Sequence, residues 1–224
     1  MAQTPTHFSI ARQSMIESQI HPMGVTSEAL LQSFSNVPRE DFVPENMQRI
    51  CYCDEDIQVA DNRYLMEPAV IARMIQAAKP TSEDVALTIG SGIGYHAAIL
   101  SSLVSTVIAL EEDESLIKQA QSVWDKHALV NIAGVSGALS QGAPKTAPYD
   151  LIIINGAVAN IPLEIKEQLN IGGRLLAPVK VKGEAVAKVT YVERVAEDVF
   201  SDTVLFDSGT PYLAGFQPTK EFVF

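Results

Sequence analysis

One stretch limits what this chain can fold into. It runs from Val85 to Leu110, VALTIGSGIGYHAAILSSLVSTVIAL, and is followed at once by Glu111, Glu112 and Asp113. It opens on a short apolar run, Val85 to Ile89, strand-like in length and composition. Glycines follow on alternate positions, at Gly90, Gly92 and Gly94. An Ala/Ile/Leu-rich segment readable as a helix comes next, then a second apolar run, Thr106 to Leu110, that ends on acid. Strand, glycine turn, helix, strand and acid make the front half of a nucleotide-binding βαβ unit. The glycines let the backbone turn tightly and approach a ligand closely. A carboxylate about twenty residues further on, at the tip of the next strand, can accept hydrogen bonds from ribose hydroxyls. Glu111 is the expected ribose acid. The alternative is a plain glycine turn in a parallel sheet, and the acid and flanking strands argue against it.

Glycine spacing decides which nucleotide is expected. The dinucleotide fingerprint G-x-G-x-x-G needs a glycine at position 95, where this chain has Tyr95. No Lys-Ser or Lys-Thr pair follows, which excludes a phosphate-cradling P-loop. The compact G-x-G-x-G spacing suits a ligand without a pyrophosphate, such as S-adenosylmethionine. The expected cofactor residues are Ile89, Gly90, Ser91, Gly92, Gly94 and Tyr95 of the turn. Glu111 and Glu112 join them from the second strand, and Asn155 from the tip of a later strand.

The remaining periodicities predict an α/β fold, a doubly wound and mostly parallel sheet, in a single domain over 1–224. A helical N-terminal cap is expected over 1–79 and the sheet core over 80–224. Phe8 to Ile20 carries a helical stripe that Pro22 and Gly24 stop. Thr26 is the expected N-cap of a second helix that buries Ala29, Leu30 and Phe34. An acid-rich connection, Cys53 to Asn62, precedes a helix that begins at Pro68 and buries Val70, Ile71, Met74, Ile75 and Ala78. Glu114 to His127 is an amphipathic helix, with Trp124 and His127 in the core or at its edge. Val130 to Val135 is the third strand, and Asp150 to Asn155 is a fourth, apolar on both faces as a central parallel strand is. Ile161 to Leu169 is a short helix closed by Gly172-Gly173, and Arg174 to Val179 is the fifth strand. Ala185 to Val192 and Val199 to Phe206 read as antiparallel strands.

A length of 224 residues is enough to bury a sizeable core. Sixteen basic against twenty-seven acidic residues give a net charge of −11, which argues against a nucleic-acid or anionic-membrane surface. Cys51 and Cys53 are too close for an easy disulfide and have no second pair or histidine to make a zinc site, so no metal is expected. A reducing compartment follows. No apolar run is long enough to span a membrane, and the N-terminal residues lack a signal-peptide core, so a cytoplasmic location is expected.

Beyond these readings, the chain resembles the protein-L-isoaspartate O-methyltransferase family. The matching phrases are Met15 to Ile20 (MIESQI), Val37 to Glu45 (VPREDFVPE), Ile89 to Tyr95 (IGSGIGY) and Glu111 after its strand. Ala147-Pro148-Tyr149-Asp150 and Gly172-Gly173-Arg174-Leu175 extend the match, which loosens over the last fifty residues. The resemblance implies a class I S-adenosylmethionine-dependent methyltransferase fold, Rossmann-like. It also implies methyl transfer to the carboxylate of isoaspartyl residues in a protein or peptide substrate, as a step of protein repair. Such chemistry needs in-line positioning and desolvation, because the sulfonium donor is already activated and the carboxylate already nucleophilic.

The resemblance places the substrate at Tyr64, Leu65, Met66 and Glu67, where the family has a phrase of the form Thr-Ile-Ser-x-Pro. Met66 stands at the hydroxyl position, and a thioether donates no hydrogen bond. Glu67, with Asp54, Glu55, Asp56 and Asp61 upstream, would repel a carboxylate substrate. Thr88 stands where an acid usually ends the first strand. Gly137-Ala138-Leu139 stands where the family has Gly-Asp-Gly at the adenine, which makes Ala138 and Leu139 the expected adenine neighbours. The expectation is a methyltransferase of isoaspartyl-repair ancestry, weak or inactive on isoaspartyl peptides. The alternative is a catalytically silent relative with a binding or regulatory role.

Overall fold

The structure is a computed structural model that describes residues 6–218. Thr6 caps the first helix, α1 (His7–Met15), by accepting from the Ser9 amide. A π-helical turn (Ile16–Ile20) and a 3₁₀ turn (His21–Met23) continue the run until Gly24 ends it at φ +84°. The N-cap of α2 (Glu28–Asn36) is Ser27, which accepts from the Leu30 amide. Thr26 instead donates its amide to the Gln76 side chain of a neighbouring helix. Ala29 is exposed, and Ser33 takes the inward position beside Leu30 and Phe34, donating its hydroxyl to the Ile99 carbonyl. The acid-rich connection is not plain loop. It contains an antiparallel hairpin, β1 (Ile57–Ala60) and β2 (Arg63–Leu65). Helix α3 (Pro68–Ala78) then starts on proline, whose missing N–H has no intrahelical partner in a first turn.

The sheet core follows as β3 (Val85–Ile89), α4 (Tyr95–Ser101), β4 (Thr106–Glu111), α5 (Glu114–Lys126), β5 (Ile132–Ser136) and β6 (Tyr149–Ile154). It closes with α6 (Leu163–Lys166), β7 (Leu169–Val179), β8 (Ala187–Ala196) and β9 (Val199–Ser208). The strand order is β5-β4-β3-β6-β7-β8-β9, parallel through β7 and antiparallel thereafter. The chain winds outward from β3 to β5 and returns to the other side of β3 as β6. That reversal puts the crevice of a doubly wound sheet at the carboxyl ends of β3 and β6.

Alternation along the strands builds two cores. Ala86, Val107, Ala109, Leu151 and Ile153 face the N-terminal helices, and Leu87, Ile108, Leu110, Ile152 and Ile154 face the opposite layer. Arg174 ties the entrance of the sheet together, donating to Asp84 and to the carbonyls of Ala78, Lys79 and Asp150. Burial pushes the Asp84 carboxyl up, but Arg174 and Thr81 outweigh it and hold it below the usual range.

Several element boundaries differ from expectation. The third strand begins at Ile132, with Val130 93% exposed. The helix expected over Ile161 to Leu169 is the single turn α6, because β7 already pairs at Leu169. Gly172 and Gly173 lie inside a bulge of β7, where pairing jumps from Tyr149↔Leu169 to Leu151↔Arg174. A Cβ at Gly173 would sit 2.9 Å from the Tyr149 carbonyl, so only glycine lets the strand close there. Among the described residues, no helix is long and apolar enough to cross a membrane.

Candidate functional site

The glycine turn caps the tip of β4. The amides of Gly90 and Ser91 both donate to the Leu110 carbonyl, at 3.0 and 3.2 Å. Gly90 and Gly94 have φ of +73° and +87°, which residues with a Cβ rarely adopt. Trp124 of α5 packs on Gly94 and donates its indole N–H to the Gly94 carbonyl at 3.1 Å. Thr88 and Ser91 pair their hydroxyls at 2.7 Å, a contact that stands where an acid was expected from the family pattern.

Glu111 lies at the turn, as the βαβ pattern requires. Its Oε2 accepts from the Gly92 amide at 2.9 Å, and its Oε1 from the amides of Glu112 and Asp113 at 2.8 and 3.2 Å. The carboxylate is 1% exposed. Its principal partner was not foreseen. Arg63 of β2 donates Nε to both carboxylate oxygens, at 3.0 and 3.1 Å, and Nη2 to Oε1 at 2.8 Å. Arg63 is itself buried, and Glu112 stands outside the pair, largely exposed, 3.8 Å from Nη2. Such a fork on a carboxylate is among the stronger and more directional polar contacts available to a side chain. It also uses the acceptor capacity that a ribose diol would need.

Two other elements cover the turn. Val59 of β1 would touch a Cβ at Gly92, at 3.7 Å. Leu213, on the segment after β9, lies over Gly90 and Gly156, with its Cδ1 2.6 Å from where a Cβ at Gly90 would be. The Leu213 segment is held by backbone exchange with Ala157, at 2.8 Å in each direction through Pro211 and Leu213. Cavities open elsewhere, such as one of about 360 Å³ lined by Leu30, Ile75, Gln76 and Leu103.

Asn155, at the tip of β6, donates its backbone amide to the Ile89 carbonyl at 2.9 Å. Its side chain is 3% exposed, and among the described residues neither its amide nitrogen nor its oxygen meets hydrogen-bond geometry, although it faces His96 closely enough to raise that ring's pKa. Leaving such a group unpaired costs about 1–3 kcal/mol. His96 lies nearby with Nε2 also unpartnered; burial and then the Arg39 charge push its pKa down to about 3, which keeps the ring neutral. The Tyr95 ring is spent on the core against Phe34 and Phe42, beneath the Arg39 guanidinium. Ala138 is exposed, and its carbonyl already accepts from Gln141. Leu139 is buried in the second core, and Ile89 lies beside it there.

The segment matched to the family's substrate phrase is divided. Tyr64 is half-buried in β2 and Leu65 is buried. Met66 is 1% exposed within the first core, and its carbonyl accepts from the buried Arg39 at 2.8 Å. Glu67 gathers the acidic connection around it, its amide donating to Asp56 at 2.9 Å. Burial first, then the charges of Asp54, Asp56 and Glu55, push the Glu67 carboxyl up to about 7. The structure thus brings Gly90 to Gly94, Glu111 and Asn155 together. Gly137, next to Ala138, donates its amide to the Glu111 carbonyl, while Met66 lies in the first core and the Tyr95 ring packs against Phe34 and Phe42. Arg63 and Leu213 were missed. An arginine in a short polar run and a leucine near the end of the chain carry no signal of their own.

Comparison with known proteins places this arrangement. The model of the family Protein-L-isoaspartate(D-aspartate) O-methyltransferase (PCMT) matches residues 10–205. The chain is 31% identical over 219 residues to the protein-L-isoaspartate O-methyltransferase of Koribacter versatilis, covering 97% of each. A solved protein-L-isoaspartate O-methyltransferase superposes with a TM-score of 0.78 at 21% identity, over 91% of this chain and 66% of that one. A Plasmodium falciparum structure named for the same activity, in complex with S-adenosyl-L-homocysteine, gives 0.73 at 16% identity over 93% and 99% of the two chains.

Proposed function

The chain belongs to the protein-L-isoaspartate(D-aspartate) O-methyltransferase family, and we propose that it is an S-adenosylmethionine-dependent methyltransferase of that lineage acting on a protein or peptide, with little turnover of isoaspartyl substrates. The observation that carries this reading is the contact between Glu111 and the glycine turn, where the carboxylate at the tip of β4 accepts from the Gly92 amide. That contact is the geometry in which a ribose acid serves a nucleoside lying across the turn. Asn155 fits the same role, since its side-chain donor and acceptor lie at the neighbouring strand tip without a hydrogen bond of good geometry among the described residues. S-adenosylmethionine would supply an activated methyl group there. Glu111 and Asn155 would hold and orient it.

The restriction on substrate rests on Met66 and Glu67. Met66 has no hydroxyl to hold a carboxylate, and its side chain is packed in the core. Glu67 is half-buried among three further carboxyl groups, an arrangement that disfavours an anionic acceptor. A radiolabelled methyl-transfer assay on an isoaspartyl peptide, beside calorimetry with S-adenosylmethionine, tests both halves. Cofactor binding with peptide turnover at least a hundred-fold below an active relative is the expected result. Turnover equal to the relative's would refute the substrate half, and absence of any nucleoside binding would refute the cofactor half.

A catalytically silent role is the second reading, and one observation favours it. Glu111 is engaged by Arg63, and Leu213 covers Gly90, so the nucleoside does not fit the site in the closed arrangement described.

A further inference from the structure

We propose that the nucleoside site is shut by two of the chain's own side chains, Arg63 as a latch on Glu111 and Leu213 as a plug over Gly90, so that a ligand enters only when the hairpin and the Leu213 segment move aside. The inference rests on the reading of the Gly90–Gly94 turn as a nucleoside site.

The latch satisfies the acid completely. Glu111 receives hydrogen bonds from Arg63 Nε and Nη2 and from the amides of Gly92, Glu112 and Asp113. A ribose diol donates two hydroxyls, and it reaches the carboxylate only by displacing the guanidinium. The plug is similar in effect. Leu213 places an apolar side chain against Gly90 and Gly156, the surface that glycine keeps free for close backbone approach. Asn155, 3% exposed at the neighbouring strand tip, faces His96 without a hydrogen bond of good geometry among the described residues.

Both covering elements lie outside the regular pairing of the seven-stranded sheet, although each buries apolar side chains, Ile57, Val59 and Leu65 from the hairpin and Leu213 and Phe216 from the later segment. The hairpin is two strands of four and three residues, with a register irregularity between Gln58 and Ala60, outside the seven-stranded sheet. Two-stranded hairpins are marginal on their own. The Leu213 segment has no strand pairing beyond an isolated bridge between Ala157 and Tyr212. A binding-competent state populated at a small fraction lowers the apparent affinity by that fraction. Removing the latch or the plug raises the fraction.

The test uses S-adenosylhomocysteine as the probe and isothermal calorimetry on the full chain, its Arg63→Gln variant and its Leu213→Ala variant. Glutamine keeps polar contact with Glu111 without a charge, and Leu213→Ala leaves the ion pair untouched, so the second variant carries the test if the first fails to fold. Closure predicts that each folded variant binds at least ten-fold more tightly than the wild type. Equal affinity of wild type and variants overturns the closure and leaves the nucleoside reading standing. Absence of binding in all of them overturns the nucleoside reading and the closure together.

Discussion

Replacing Glu111 by alanine is expected to damage the fold before it damages ligand binding. From sequence alone Glu111 is a ligand acceptor, whose loss removes affinity and little else. In the structure it is the buried partner of a buried arginine, 1% against 6% exposed. Among the described residues, alanine leaves the Arg63 guanidinium with the Asn62 carbonyl as a close partner and the distant Glu112, and it removes the acceptor of the Gly92 amide. Breaking a buried pair from one side costs about 3–5 kcal/mol, because the remaining charge stays desolvated. In a chain of this size that corresponds to a fall in Tm of about 6–20 °C. The assay is urea unfolding followed by fluorescence of the single tryptophan, Trp124, which packs on the glycine turn. Arg63→Ala should cost a similar amount, and the double variant should cost less than the sum, with a coupling of about 1 kcal/mol or more. A Glu111→Ala variant within about 1 kcal/mol of the wild type would show that the ion pair is not formed as described, and the closure of the site would lose its basis.

Other expectations follow from the same contacts. Burial, then the neighbouring carboxyl groups, push the Glu67 carboxyl up to about 7, above its usual value of 4.5. The folded state therefore holds its proton longer than the unfolded chain, and the chain loses stability as pH rises from about 4.5 through about 7. Denaturant midpoints at pH 4 and pH 8 should show Glu67→Gln matching the wild type at the lower pH and exceeding it at the higher; a pH-independent difference would refute this. Met66→Ser should lower stability by about 2–5 kcal/mol by emptying a core position, without restoring isoaspartyl turnover. A gain in methyl transfer would show that Met66 lines the substrate pocket after all. Gly94→Ala should cost about 2–4 kcal/mol, since the new Cβ meets the Trp124 ring at a left-handed φ. Unchanged thermal melting would contradict the packing of Trp124 on the turn.

The order of elements and the place of the crevice were legible because they rest on local patterns. Apolar runs of strand length, helical stripes and glycines at alternate positions dictate β3, α4 and β4 whatever surrounds them, and Glu111 follows at the tip of its strand. Trp124 was read as core from its place on the α5 stripe, and it is 1% exposed. Local pattern failed where tertiary partners compete. Thr26 has cap chemistry, but the Gln76 side chain, fifty residues away, accepts from the amides of both Thr26 and Ser27, and the helix starts at Glu28 with Ser27 as its cap. The helix expected after Ile161 stops at Lys166, and Leu169 pairs with Tyr149 at the start of β7.

The sequence by itself determined the βαβ unit and the acid at the turn, both of which are properties of neighbouring residues. Only the tertiary structure decided whether that acid is free. Arg63 lies forty-eight residues before Glu111, and Leu213 far beyond Gly90, on segments with little periodicity to place them. Their effect depends on a charge and an apolar surface meeting across the fold, and no spacing along the chain encodes that distance.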